Sequence, residues 1–98
     1  LQVVRKASNV IWTKRTACEK QLDQALENYL AEDEQRGVNF GDYFMRCASI
    51  VGSKTNVLFI WTVHHALYDG WCQQAILRDV LASYRNQSIP FRPPYSRY

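Results

Sequence analysis

Apolar residues along the chain recur at two different periods. Leu22, Ala25, Leu26, Tyr29 and Leu30 fall on one face of a helix. Thr16, with Glu19 three residues on, matches a capping box in which hydroxyl and carboxylate satisfy the orphan amides of a helix start. Gly37 is the natural stop. These signals predict a helix from about Ala17 to Gln35. Its last turn carries Glu32, Asp33 and Glu34, which oppose the helix dipole, with Arg36 the nearby counter-charge. Tyr43 to Val51 mixes aromatic, Cys, Ile and Val residues around Arg46, Gly52 to Asn56 is polar and turn-like, and Val57 to Val63 is almost wholly apolar. Together these predict a β-hairpin. The second strand lacks polar alternation, which predicts cover on both faces and a central place in the sheet. Ala75, Ile76, Leu77, Val80, Leu81 and Tyr84 predict a second amphipathic helix, roughly Trp71 to Asn86. Leu1 to Val4 reads as the tail of a strand, and Val10 to Trp12 as a short extended or loop segment. Pro90, Pro93 and Pro94 end regular structure. The order implies a layered α/β (α+β) arrangement with too few strands to close a sheet, so unpaired edges and an uncovered apolar face are expected.

Composition narrows the class. At 98 residues the chain is one small domain or a piece of one. With 47% hydrophobic and 13% aromatic residues it is not a disordered segment. The longest apolar run, Val57 to Trp61, is far short of the roughly 20 residues a membrane-spanning helix requires. No signal peptide opens the chain, and its one methionine is Met45, so a processed chain or a fragment is expected. The net charge of +3 is spread as a basic start, an acidic stretch from Glu19 to Glu34 and a basic end. This makes no clustered basic stripe, so solvated charge is expected rather than a nucleic-acid interface. Cys18, Cys47 and Cys72 are odd in number and widely spaced, which fits neither a disulfide framework nor a zinc site. Reduced thiols and a cytoplasmic location are expected.

Candidate chemistry is concentrated in His64-His65-Ala66-Leu67-Tyr68-Asp69-Gly70, which holds both histidines of the chain. An apolar strand ends here and delivers two imidazoles at its C-terminal edge, where α/β sheets bind ligands. Adjacent residues on extended backbone point to opposite faces, so one histidine at most faces a given cleft. Imidazole titrates near neutral pH and accepts a proton from an amine, hydroxyl or thiol. Asp69 is placed to orient a ring, to pair with an arginine, or to cap the following helix. Gly70 permits unusual backbone geometry and opens that helix, whose amides are suited to an oxyanion. The alternative is a satisfied core histidine pair beside a capping Asp69. A metal site is not expected, because His64, His65 and Asp69 lack helical zinc spacing and a fourth ligand.

Phe59 through Trp71 resembles the active-site stretch of condensation domains of nonribosomal peptide synthetases, and the wording HHALYDGW resembles the fungal members. Phe40-Gly41 through Arg46 is similar to the family's fG-x-PL-x-R segment, with Tyr43-Phe44 in place of PL. Tyr84 and Pro90 to Tyr98 resemble the Tyr-containing region after the helix. Cys72 stands where the family commonly has Ser. The resemblance implies a chloramphenicol-acetyltransferase-like fold of two lobes with a tunnel between them. Residues 1–98 would be a partial N-terminal lobe, a β-hairpin plus two amphipathic helices, with the family's opening motifs and the second lobe absent. It implies an acyltransferase-type condensation that forms amide bonds between a carrier-bound acyl or peptidyl thioester and an acceptor amine. Phosphopantetheine arms of peptidyl carrier domains would deliver both substrates, with no cofactor bound directly, no metal, and no nucleic acid or membrane as partner. By the motif match, His65 would be catalytic. It would take the amine's proton, or position the amine and stabilise the tetrahedral state. His64 would be buried and supportive, Asp69 salt-bridged to an arginine, and Gly70 would shape the loop and offer its N–H to the oxyanion. The isolated piece is expected to be inactive. Two rivals remain: an acyl-CoA-dependent acyltransferase of the same superfamily, and a non-catalytic remnant or interaction module.

Overall fold

The computed structural model describes residues 10–93, and the strand expected at Leu1 to Val4 lies outside them. The chain divides at the His64–His65 bond into two units, each with its own internal frame.

The first unit is a three-stranded sheet with one helix packed on it. Its strands are β1 (Ile11–Thr16), β2 (Met45–Val51) and β3 (Val57–Val63), in the order β1-β2-β3. β1 and β2 are parallel, with Ile11 opposite Arg46 and Thr16 opposite Val51. A parallel pair requires a crossover, which helix α1 (Leu22–Arg36) supplies. β2 and β3 form the predicted antiparallel hairpin, with Met45 opposite Val63 and Val51 opposite Val57. Alternation along the strands sends Arg46, Ala48 and Ile50 of β2, and Leu58, Ile60 and Thr62 of β3, to one face. There Leu22 and Tyr29 of α1 close over Ala48 and Ile50, with Ala17, Ala25, Leu26, Leu58 and Ile60 packed around them.

The central strand is β2, not the apolar β3, which lies at a sheet edge among the described residues. An apolar run reports what packs above and below a strand. It carries no record of which hydrogen-bonded neighbours flank it. Among the described residues of the first unit the other sheet face carries no helix: Trp12 is 47% and Phe59 58% exposed, and their rings meet at 5.6 Å. This is the uncovered apolar face that the pattern predicted.

The start of α1 departs from the capping box. Thr16 is the last residue of β1, and the next amide, Ala17 N–H, donates to the Val51 carbonyl at 3.0 Å. Strand pairing therefore claims the residue that the motif assigns to a cap. A 3-10 turn, Glu19–Gln21, intervenes before α1. The Glu19 carboxylate accepts from Asn56 Nδ2 at 2.9 Å, holding the hairpin turn instead of a helix amide. That bond and one from Ser53 hold the Glu19 carboxyl below its ordinary range. The stop at Gly37 is as predicted: its φ of 58° suits glycine, and its N–H donates to the Asp33 carbonyl at 3.1 Å.

The second unit holds a 3-10 turn, His65–Leu67, and helix α2 (Gly70–Tyr84). Within this unit no residue of α2 is buried. The helix ends beside Asn86, whose φ of 55° is the left-handed conformation Asn tolerates, with Gln87 N–H donating to the Ala82 carbonyl at 2.8 Å. The segment that follows, residues 87–93, has no regular structure, as Pro90 and Pro93 predict. It returns to the helix through Arg92, which donates both guanidinium arms to the Asp79 carboxylate at 2.6 and 3.0 Å.

Candidate active site

His64 follows β3 directly. Its N–H donates to the Phe44 carbonyl at 2.8 Å, continuing the hairpin ladder one step past the strand. Its ring lies 5.0 Å from the Phe44 ring. Phe44 stands where the family segment has Leu, so this departure supplies the histidine with an aromatic neighbour. His64 is exposed rather than buried, because in the first unit it projects past the strand end, beyond the helix-covered part of the sheet.

Behind His64 the strand end is braced by a polar group that the sequence patterns did not reveal. Arg46, only 5% exposed, donates through Nε to Asp33 Oδ1 at 2.6 Å. Its two terminal nitrogens donate to the Gly37 carbonyl at 3.0 Å and the Asp33 carbonyl at 3.2 Å. Thr62, the cross-strand partner of Arg46, donates its hydroxyl to Asp33 Oδ2 at 2.9 Å. The acidic last turn of α1 thus has its direct ion-pair partner in Arg46 across the core, with the charge of Arg36 a smaller contribution. Glu32 finds another in Arg15 at 2.6 Å, whose guanidinium also lies over the Tyr29 ring. Burial on its own raises the Asp33 pKa. The Arg46 and Thr62 hydrogen bonds and the charges of Arg46 and Arg36 outweigh it and hold the carboxyl below the usual range. The available signals were a charged residue inside an apolar strand and a carboxylate at the wrong end of a helix.

In the second unit, His65 opens the 3-10 turn and its ring stacks on Tyr68 at 4.7 Å with planes 24° apart. Tyr68 carried no role in the sequence reading. The Tyr68 N–H donates to the His65 carbonyl at 3.3 Å, so the turn itself brings the two rings together. Asp69 is the N-cap of α2: its Oδ1 accepts from the Trp71 N–H at 3.1 Å and the Cys72 N–H at 2.8 Å. These bonds, that from Cys72 foremost, hold its carboxyl below the ordinary range. Of the three roles open to Asp69, the local geometry takes the cap.

Gly70 is the first residue of α2 and is not among the glycines of positive φ, which are Gly37 and Gly41. Its place in the motif therefore does not rest on unusual backbone geometry. A Cβ built on it meets nothing within 4 Å, so what it provides is open space at the helix start. Asp69 occupies the amides of Trp71 and Cys72, and Gln73 N–H donates to the Asp69 carbonyl at 2.9 Å. The Gly70 N–H is the amide of this turn that Asp69 does not use. A shallow groove lined by Ile76, Asp79, Val80, Ser83, Tyr84 and Ile89 lies along α2 and contains none of the motif residues.

All three cysteines are free thiols, and burial pushes the Cys47 thiol up. Among the described residues no helix is long and apolar enough to cross a membrane.

Comparison with known proteins agrees with the resemblance to condensation domains of nonribosomal peptide synthetases. The chain is 38% identical over 74 residues to the FR901469 synthetase of a Dothideomycetidae species, a match covering 76% of this chain. It is 31% identical over 102 residues, spanning 100% of this chain, to the nonribosomal peptide synthetase ecdA of Aspergillus rugulosus. It is 41% identical over 83 residues, 78% of this chain, to bacitracin synthase 3 of Bacillus licheniformis. The chain spans about 1% or less of the length of these relatives, with 0% of the first and 1% of the other two covered. No solved structure matches. The family model described as Condensation domain matches residues 1–98 throughout, and the chain belongs to the condensation-domain family.

Proposed function

We propose that this chain supplies part of the first lobe of a condensation domain within a nonribosomal peptide synthetase, and that the assembled domain joins a carrier-bound acyl or peptidyl thioester to an acceptor amine. The observation that carries the reading is the segment His64–Gly70, set between the end of a paired strand and a capped helix, in a chain that matches the family along its whole length. His65 is the catalytic residue. Its imidazole takes the proton from the attacking amine, or positions that amine as the tetrahedral state forms. The Gly70 N–H, not engaged by Asp69, is the donor suited to the developing oxyanion. Asp69 anchors the loop to α2, and pairing with an arginine elsewhere in the fold, as the family resemblance implies, completes its role. His64 supports the loop from the strand side. A second lobe completes the tunnel, and carrier domains bring both substrates on phosphopantetheine arms. A thioester is already activated, so no metal is required. The free cysteines fit a reducing, cytoplasmic setting.

The test is His65→Ala in the intact synthetase that contains this segment. Amide formation between pre-loaded carrier domains, read by mass spectrometry of the carrier-bound product, falls by about 100-fold or more. A parent that condenses at an unchanged rate overturns the reading. Replacing the loaded donor carrier by the matching acyl-coenzyme A separates the two acyltransferase classes: the synthetase turns over only the carrier-bound donor.

A further inference from the structure

The Asp33 carboxylate joins three elements at one point: the last turn of α1, Arg46 on β2 and Thr62 on β3. Thr62 lies on β3 two residues before His64, which follows the strand, and Arg46 lies two residues after Phe44, whose carbonyl and ring both meet His64. A carboxylate has two oxygens, and here they are divided. Oδ1 takes the Arg46 Nε and Oδ2 the Thr62 hydroxyl, so the two hairpin strands are tied to the helix in a single register. Hydrophobic packing does not do this at the His64 end. The buried apolar cluster lies further along the strands, at Ala48 and Ile50 opposite Ile60 and Leu58. Hydrogen bonds of this kind are directional where apolar contact is not, and the group is almost wholly dry, with the Arg46 and Asp33 side chains 6% and 12% exposed.

We propose that Thr62 and Asp33 are positioning residues for the reaction: their hydrogen bond fixes the end of β3 from which His64, and one peptide bond later His65, is delivered. The inference rests on the condensation reading for its kinetic consequence, though its geometric consequence is independent of it. Thr62→Val keeps the side-chain shape and removes the donor, while Thr62→Ser restores the hydroxyl. Leu26→Val trims the apolar core and serves as the stability control.

The experiment uses the intact synthetase and two readouts. The first is the rate at which diethyl pyrocarbonate acylates His64, read by peptide mass spectrometry and normalised to the rest of the synthetase. The second is single-turnover condensation with loaded carriers. In Thr62→Val the labelling of His64 rises about threefold as the strand end loosens, and the condensation rate falls about tenfold with little change in KM. Thr62→Ser keeps both near the parent values, and Leu26→Val moves neither. The proposal is overturned if Thr62→Val matches Leu26→Val in both readouts, or if Thr62→Ser fails to restore them. If Thr62→Val folds poorly, Thr62→Ala repeats the comparison without the misplaced methyl. An active His65→Ala enzyme sinks the condensation reading alone, since the labelling of His64 still decides whether Thr62 sets the strand end.

Discussion

Arg46 and Asp33 meet at 2.6 Å between the central strand and the last turn of α1, and the same arginine caps two carbonyls at that helix end. The pair resolves an apparent conflict in the chain. A carboxylate near a helix C-terminus is unfavourable in isolation, but here it recruits a buried guanidinium that neutralises both the side chain and the negative helix end.

Breaking the pair from one side strands the other charge in the core. Arg46→Met or Asp33→Ala is expected to lower domain stability by about 3–5 kcal/mol. Replacing both residues by apolar ones recovers much of that loss. Urea unfolding of the domain within its parent chain, followed by intrinsic tryptophan fluorescence, measures both. Additive losses in the double variant would contradict the pairing.

The acid limb of stability follows from the same group. The Asp33 pKa is depressed in the folded state, so its contribution is complete above the ordinary carboxylate value of about 4. It is lost as the pH falls through the depressed value. Asp33→Asn is therefore expected to flatten the decline in stability below about pH 4, while being less stable than the parent near neutrality. Parallel pH series of thermal unfolding check this; curves of equal slope would refute it.

Asp69→Ala removes the acceptor for the Trp71 and Cys72 amides. Hydrogen exchange at these two amides should accelerate several-fold, with the middle of α2 unchanged. Asp69→Asn, which keeps an acceptor oxygen, should retain most of the protection. Uniform acceleration along α2 would indicate that Asp69 acts on the whole helix and not on its first turn.

Gly70→Ala separates space from backbone freedom. Because Gly70 lacks a positive φ and a Cβ there meets nothing, the substitution should leave the melting temperature unchanged or slightly higher. Condensation should nevertheless slow by about tenfold, because a methyl group intrudes beside the amide suited to the oxyanion. A marked fall in melting temperature would show that the glycine is needed for the backbone after all.

Local periodicity was sufficient for the hairpin, for the helix carrying Leu22 and Tyr29, for its stop at Gly37 and for the second helix, because each signal lies within a few residues of what it describes. The HHxxxDG segment was legible for the same reason, as was its resemblance to condensation domains. The lateral place of β3 was not legible, since hydrogen-bonded neighbours leave no mark on side-chain pattern. Nor was the fate of Thr16, where pairing with Val51 prevailed over a valid capping motif. The partners of Asp33 were hidden because Arg46 and Thr62 reach it only after the chain crosses over and doubles back. The candidate chemistry was thus written in consecutive residues. What braces its strand end was decided by tertiary structure, because a buried charge must find its counter-charge wherever the fold brings one within hydrogen-bond reach.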